Sequence, residues 1–347
     1  MSDKIRIGII GCGGIANGKH MPSLKKLADV EMVAFCDIIV ERAEKAAKEY
    51  GVPGAKVFTD YKELLKLDLD VVHVLTPHYL HAPMAIAALK AGKNVLTEKP
   101  MAIDTQAARE MIRVSRQCNA RLGVIFQNRY NPASKKLKEL VASGVGGKFL
   151  GARASVCWHR EKPYYVESGW RGSMTTEGGG TLINQSIHTL DLLTYIAGQP
   201  IVRVRGHVST DRMEDVIDVE TACHALAEYA DGTSCVFHVT NDYVIDAPIQ
   251  LEMTCEKKRW QIVGDKLYDV TDGYQLILDG AAPTVGDKAY WGAGHAAELA
   301  DYYDCLATGR HFMLEDEAAY PALNLVKAVQ ESSRTGDWVA LDDIKEI

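Results

Sequence analysis

From residue 5 to 126 the chain alternates short, continuous apolar runs with stretches of helical periodicity. The runs at 5–10, 30–36, 71–75, 94–97 and 121–126 have the length and composition of strands buried on both faces. Between them, 15–28, 39–49, 82–91 and 105–118 repeat their apolar positions as amphipathic helices do. Such alternation predicts a doubly wound parallel sheet, with ligands at the carboxyl ends of its strands. After Asn131 the pattern changes: a helix at 132–142 leads into β-rich runs near 148–160, 200–210, 218–230, 233–242 and 248–263. Asp231-Gly232 between two of these runs is a hairpin signal, so the second sheet should be mostly antiparallel. Helices are expected at 180–197, 295–308 and 316–335. The expected fold class is therefore α/β in 1–126, followed over 127–347 by an α+β domain with a large, open-faced sheet. An open apolar face needs a cover, and self-association supplies one, giving a homodimer or homotetramer.

Residues 177–191 stand out: Glu177, three glycines, then Ile183, Ile187, Leu190, Leu193 and Ala197 at helical spacing. On a helix over 180–197, Asn184, His188 and Asp191 fall within about 60° of one another on a neighbouring face, which carries neither Lys nor Glu. Two readings are open, a helix start with satisfied polar side chains, or an active-site face that a ligand approaches across the glycines.

Composition narrows the class. The chain has 347 residues, more than one core usually serves, and is 47% hydrophobic and 24% charged with a net charge of -7. A slight positive excess in the first third is outweighed by an acidic remainder with no basic run, which argues against nucleic-acid and anionic-membrane binding. The eight cysteines are scattered without a C-x-x-C pair, the pattern of reduced, buried thiols in a cytoplasmic protein. No export signal or membrane span is expected, since the first residues lead straight into a strand and no apolar run approaches about 18 residues.

Motifs with chemistry sit at the predicted strand ends. Gly11-Cys12-Gly13-Gly14-Ile15-Ala16 fits G-x-G-x-x-G/A in the first βα turn: Gly11 for the turn, Gly13 for approach to a pyrophosphate, Ala16 for close packing. The second strand ends in Asp37, suited to ribose hydroxyls and repulsive to a 2′-phosphate, with no Arg until Arg42. This is a Rossmann dinucleotide site with NAD favoured over NADP. The loop Thr76-Pro77-His78-Tyr79-Leu80-His81 would lie beside the cofactor. His73, His78 and His81 do not suggest a metal, because His73 lies in a strand and no carboxylate or Cys completes a set. Glu98-Lys99-Pro100 ends the 94–97 strand, where a lysine can hold a substrate hydroxyl and lower nearby pKa values. Trp158, His159, Arg160, Tyr164, Tyr165 and Trp170 form either a packed loop or a sugar pocket; in the pocket, rings stack on sugar faces while His159, Arg160 and Arg171 donate hydrogen bonds.

The glycine fingerprint, Glu98-Lys99-Pro100, and Gly178-Gly179-Gly180 through His188 and Asp191 follow in an order that resembles the glucose-fructose oxidoreductase / inositol dehydrogenase / MocA family. Gly294-His295, Ala328 and Glu331-Ser332-Ser333-Arg334-Thr335-Gly336 extend the resemblance to nearly the whole length. It implies hydride exchange between a nicotinamide and a sugar or cyclitol carbon. Lys99 resembles the family's substrate-positioning lysine and His188 its general acid/base. The implied cofactor contacts are Gly11, Gly13, Gly14, Ile15, Ala16, Asp37, Thr76, Pro77, His81, Glu98, Lys99, Gln127, Asn128, Trp170, Arg171 and Tyr290. Substrate contacts would come from Lys99, His159, Arg160, Tyr164, Tyr165, Asn184 and Asp191. Four residues before the catalytic His the family often has Asp, and this chain has Asn184, counted with Lys99 and His188 among the catalytic candidates. Tyr164-Tyr165, Trp170-Arg171-Gly172 and Asn184-Gln185 resemble a branch that includes nucleotide-sugar 3-dehydrogenases.

The expected function is NAD-dependent oxidation of a secondary alcohol in a sugar, sugar derivative or cyclitol. One alternative is redox-neutral glycoside cleavage through transient C3 oxidation by tightly held NAD. Another is a non-catalytic NAD-sensing regulator.

Overall fold

The computed structural model describes residues 4–280 and 294–342, which divide into two compact units. Among the described residues the first comprises 4–125 with 295–319, the second 126–280 and 294 with 320–342. The expected boundary at 126/127 therefore does not divide the chain once: the segment 295–319 packs with the first unit, where Val124 N donates to Leu314 O at 3.1 Å.

The first unit holds a six-stranded, all-parallel sheet of β1 (Ile5–Ile10), β2 (Val30–Cys36), β3 (Lys56–Phe58), β4 (Val71–Val74), β5 (Asn94–Thr97) and β6 (Leu122–Val124) in the order β3-β2-β1-β4-β5-β6. The doubly wound sheet read from the sequence is thus present. β3 was not expected; three residues offer too short a run to register. The order reverses between β1 and β4, and their carboxyl ends lead into Gly11 and Thr76, the place where such sheets bind nucleotides.

The second unit holds a nine-stranded sheet of β7 (Phe149–Cys157), β8 (Ile201–Ser209), β9 (Ala222–Tyr229), β10 (Ser234–Thr240), β11 (Gln250–Cys255), β12 (Arg259–Val263), β13 (Lys266–Asp269), β14 (Gln275–Asp279) and β15 (Val339–Ala340). Its order is β14-β13-β12-β11-β7-β10-β9-β8-β15, antiparallel except for the β7–β10 pair. The run expected at 248–263 is a hairpin of two strands. The β9–β10 hairpin turns where the sequence signals it, with Gly232 at φ +84° and Asp231 Oδ1 accepting from Thr233 N at 2.9 Å. Helices Pro132–Ala142, Ile187–Ala197 and Tyr320–Thr335 pack on the sheet. Along β10, buried Cys235, Phe237 and Val239 alternate with exposed Ser234 and Val236, so one face is covered and the other, among the described residues, is open.

The helix expected over 180–197 begins only at Ile187. Residues 181–185 are turns, and Asn184 therefore does not share a helix face with His188 and Asp191. Nor do the glycines clear a path for a ligand. A Cβ on Gly180 would lie 1.9 Å from Glu220 O, and one on Gly179 2.5 Å from Gln330 Nε2, with φ +151° there. Gly180 lets the Glu220 backbone pack close, and Gly179 the Gln330 side chain. Among the described residues no helix is long and apolar enough to cross a membrane.

Candidate active site

In the first unit the glycine turn is shaped for a dinucleotide. Gly11 has φ +93°, and a Cβ there would lie 2.5 Å from Leu75 O, so only glycine lets β1 leave the sheet over the end of β4. Cβ atoms on Gly13 and Gly14 would meet nothing within 4 Å, which leaves the outer side of the turn open to a ligand. Gly14 and Ile15 begin the helical stretch that continues through Ala16, which is fully buried. At the end of β2, Asp37 receives Cys12 N on Oδ2 and Ile39 N on Oδ1, both at 2.9 Å, so backbone donors hold the carboxylate beside the turn. Open space before the glycines and a fixed carboxylate with no cation next to it in sequence fit NAD.

Past β4, Pro77 caps the helix His78–Lys90 and Thr76 Oγ1 is buried with no hydrogen-bond partner among the described residues, as a group awaiting a ligand would be. His81 does not offer a ring nitrogen to a cofactor. Its Nδ1 faces Pro100 O and its Nε2 faces Thr76 O, each at 2.7 Å, which ties the two loops together. Burial pulls its pKa down against the pull of both carbonyls, so the neutral ring donates to one of them at a time. Glu98 is buried and points inward: His20 Nε2 lies 2.9 Å from Oε1, and Lys99 N donates to Oε2 at 3.2 Å. Lys99 itself is partly exposed.

In the second unit, Gln127 and Asn128 lie buried in a short 3-10 helix, Gln127–Tyr130. Gln127 Nε2 lies 3.3 Å from His188 Nε2, and the Phe126 ring meets the His188 ring edge-on at 5.5 Å. His188 sits in the first turn of its helix and is buried, 8% exposed. The buried Asp191 is fully engaged elsewhere: Arg129 Nε donates to Oδ2 at 2.8 Å and Nη2 to Oδ1 at 2.6 Å. The substrate contact expected of Asp191 is corrected accordingly, because a bidentate guanidinium occupies both oxygens.

A polar network surrounds Asn184. Its Nδ2 donates to Glu177 Oε1 at 2.5 Å and reaches Tyr164 Oη at 3.2 Å; Gln185 Nε2 donates to the same hydroxyl at 2.7 Å. Asn241 Nδ2 donates to Tyr165 Oη and Gln185 Oε1, each at 3.0 Å. Glu177 also accepts from Gly172 N at 2.6 Å. Burial raises its carboxyl to about 7, against the opposing pull of Gly172 N, Asn184 and Arg171. The guanidinium carbons of Arg171 and Arg160 lie 4.5 and 5.3 Å from the centre of the Tyr164 ring, and that of Arg171 lies 4.7 Å from the Trp170 ring. Arg171 Nε is buried without a hydrogen-bond partner among the described residues. Arg160 binds Asp246 Oδ1 at 2.8 Å, and exposed His159 binds Tyr243 O at 2.6 Å; these two donors brace their own loop. Tyr290 lies outside the described residues.

Sequence reasoning missed Glu177 and Arg129. Glu177 stands directly before the glycines, where a buried carboxylate is signalled only by its place in the motif. Arg129 is 62 residues from its partner, and nothing local announces the pair.

Residues 5–126 match the model described as "Oxidoreductase family, NAD-binding Rossmann fold", and 134–266 match the GFO/IDH/MocA C-terminal domain. The chain belongs to the GFO/IDH/MocA family. Like that family, it binds NAD through its Rossmann domain. Among similar proteins is a D-glucoside 3-dehydrogenase of Escherichia coli (strain K12), 34% identical over 239 residues, 68% of this chain and 65% of that one. An inositol 2-dehydrogenase of Rubrobacter xylanophilus is 33% identical over 210 residues, 59% of this chain and 56% of the relative. The matched segments thus span less than two thirds of these curated relatives. Over its whole length the fold matches the WlbA dehydrogenase from Bordetella pertussis, crystallised with NADH and UDP-GlcNAcA, with a TM-score of 0.85, 26% identity, and coverage of 98% and 99% of the two chains.

Proposed function

We propose that this member of the GFO/IDH/MocA family is an NAD-dependent oxidoreductase acting on a secondary alcohol of a sugar, sugar derivative or cyclitol. The observation that carries the reading is the Gln127–His188 contact. An amide N–H turned toward Nε2 at 3.3 Å would keep the proton on Nδ1 and the ring neutral, the form from which a general base works once a substrate hydroxyl replaces the amide as donor to Nε2. Bound NAD supplies a hydride acceptor at its nicotinamide. It would be held by Gly11 to Ala16 and Asp37, with Thr76 and Pro77 along one side. Trp170, Arg171, Gln127 and Asn128 remain cofactor candidates from the family resemblance. Lys99 would hydrogen-bond the reacting hydroxyl and lower its pKa, and His188 would take its proton. Asn184, oriented by Glu177, would position the sugar beside Tyr164 and Tyr165. The open face of the second sheet, where Leu226 and Val236 are 39% and 49% exposed, would pair with another copy, in a cytoplasmic homodimer or homotetramer.

The test is NADH absorbance across a panel of sugars, cyclitols, glycosides and nucleotide sugars. Steady NADH formation with one class supports the reading and names the substrate. Release of aglycone without net NADH would replace it with redox-neutral cleavage, a course that the similarity to a glucoside 3-dehydrogenase keeps in view. NAD binding with no turnover would point to a regulator.

A further inference from the structure

Inside the first unit, Tyr303 Oη lies 2.6 Å from His73 Nε2, His73 Nδ1 lies 3.2 Å from His20 Nδ1, and His20 Nε2 lies 2.9 Å from Glu98 Oε1. His295 Nε2 approaches the same carboxylate oxygen at 3.7 Å. Glu98 Oε2 accepts the backbone N–H of Lys99. All five side chains are buried, His20 and His73 completely. Apart from Glu98, which the family resemblance places among the cofactor contacts, none of them has a part in the hydride transfer proposed above, and a row of polar groups inside a sheet core calls for a reason.

The direction of each hydrogen bond follows from the charge at one end. Burial alone would raise the Glu98 carboxyl, but the hydrogen bonds from His20 and His295 outweigh it and hold the group well below the usual carboxylate range, so Glu98 is ionised and only accepts. His20 must then carry its proton on Nε2. A neutral His20 leaves Nδ1 bare, so His73 carries its proton on Nδ1 and donates it there. The His73 Nε2 is bare in turn and accepts from the Tyr303 hydroxyl. Desolvation holds His73 well below its ordinary value, lowers His295, and keeps the Tyr303 hydroxyl protonated. A cationic His20 would donate from Nδ1 as well and so reverse both the His20–His73 and the His73–Tyr303 bonds, and its ring centre lies only 5.4 Å from that of His73.

We propose that Tyr303, His73 and His20 form a one-way hydrogen-bond relay that ends on Glu98 and, through its second oxygen, fixes the backbone that carries Lys99. The three are positioning residues. The inference rests on the role assigned to Lys99 above, because a misplacement of about 1 Å at a substrate-holding group costs up to about a hundredfold in rate. With His20 donating to Oε1 and His295 3.7 Å from the same oxygen, Glu98 keeps Oε2 for the Lys99 amide.

The relay is tested on the full-length protein without substrate, by nitrogen NMR of histidine side chains at about pH 8, above the ordinary histidine pKa. The expected result is a neutral Nε2–H tautomer for His20 and a neutral Nδ1–H tautomer for His73. The opposite tautomer at either ring, or an imidazolium at His20, overturns the proposal. So does one tightly bound metal ion per chain in elemental analysis, because His20, Glu98 and His295 place their ligand atoms within 4.8 Å and an ion would replace the proton between them. The functional arm compares two substitutions. In His73→Gln the amide can accept from Tyr303 and donate to His20, whereas His73→Leu can do neither. On whichever panel glycoside or cyclitol reduces NAD, His73→Gln should retain kcat, and His73→Leu should lose about tenfold in kcat with the KM for NAD unchanged. The Lys99 amide proton should shift upfield only in His73→Leu. Equal kcat and an unmoved amide in both variants would refute the positioning role. Failure of the underlying reading would appear separately, as unchanged turnover in Lys99→Met.

Discussion

Glu177 Oε1 accepts a 2.5 Å hydrogen bond from Asn184 Nδ2, seven residues away, and both lie in the turns that precede the His188 helix. The family often has a carboxylate where this chain has Asn184. Here a carboxylate stands behind the amide instead and decides which way it faces, since Glu177 Oε1 accepts from the Asn184 amide N–H.

Glu177 makes stability depend on pH. Its folded-state value of about 7 lies above the roughly 4.3 of an unfolded glutamate, so the folded state binds more protons in between. Stability therefore falls as pH rises from about 4.3 to about 7, by on the order of 3 kcal/mol, and levels off above. Glu177→Gln should flatten this part of the profile and gain relative to the parent at pH 8. Urea midpoints of both proteins at pH 5 and pH 8 measure it; parallel profiles would place the carboxyl at an ordinary pKa.

The Arg129–Asp191 pair predicts a structural loss without a chemical one. Asp191→Ala strands a buried guanidinium and should cost about 3–5 kcal/mol in denaturant unfolding. Replacing both partners by apolar residues should cost less. If the folded fraction of Asp191→Asn lost more than about a hundredfold in kcat, the range of a lost acid or base, Asp191 would have a chemical role after all.

Gly11 and Gly13 should separate folding from cofactor binding. Gly13→Val has room in the protein and should shift stability by less than about 0.5 kcal/mol, yet weaken NAD at least about tenfold in Kd. Gly11→Ala meets Leu75 O at 2.5 Å and should destabilise the fold itself. Calorimetry with NAD titration reads both; tight NAD binding by Gly13→Val would remove that turn from the site.

His188→Ala should reduce turnover by about 10² to 10⁴ while NAD affinity is retained. Fluorescence titration of NAD beside steady-state kinetics distinguishes loss of a base from loss of the site. Undiminished kcat would dismiss His188 as the acid/base.

Much of the architecture was legible because buried strands and amphipathic helices write their period into the chain: β1, β2, β4 and β5 stand where apolar runs announce them. β13 and β14 were not read, since their exposed Lys266, Gln275 and Leu276 break the apolar alternation, and β14 lies at the edge of the sheet. The glycine turn, Asp37, Lys99 and His188 could be picked out because each sits at a place the period itself marks, a strand end or a helix start.

What the sequence determined by itself was the order of elements, the dinucleotide turn and the residue types available for proton chemistry. Only the tertiary structure decided how those residues are used: Asp191 taken by Arg129, Asn184 held by Glu177, the glycines spent on Glu220 and Gln330, and Glu98 turned toward His20. Arg129–Asp191, Glu177–Asn184, Gly180–Glu220 and His20–Glu98 lie 62, 7, 40 and 78 residues apart. Periodicity reports which way a side chain faces within its own element, whereas burial and charge pairing depend on what another part of the chain brings against it.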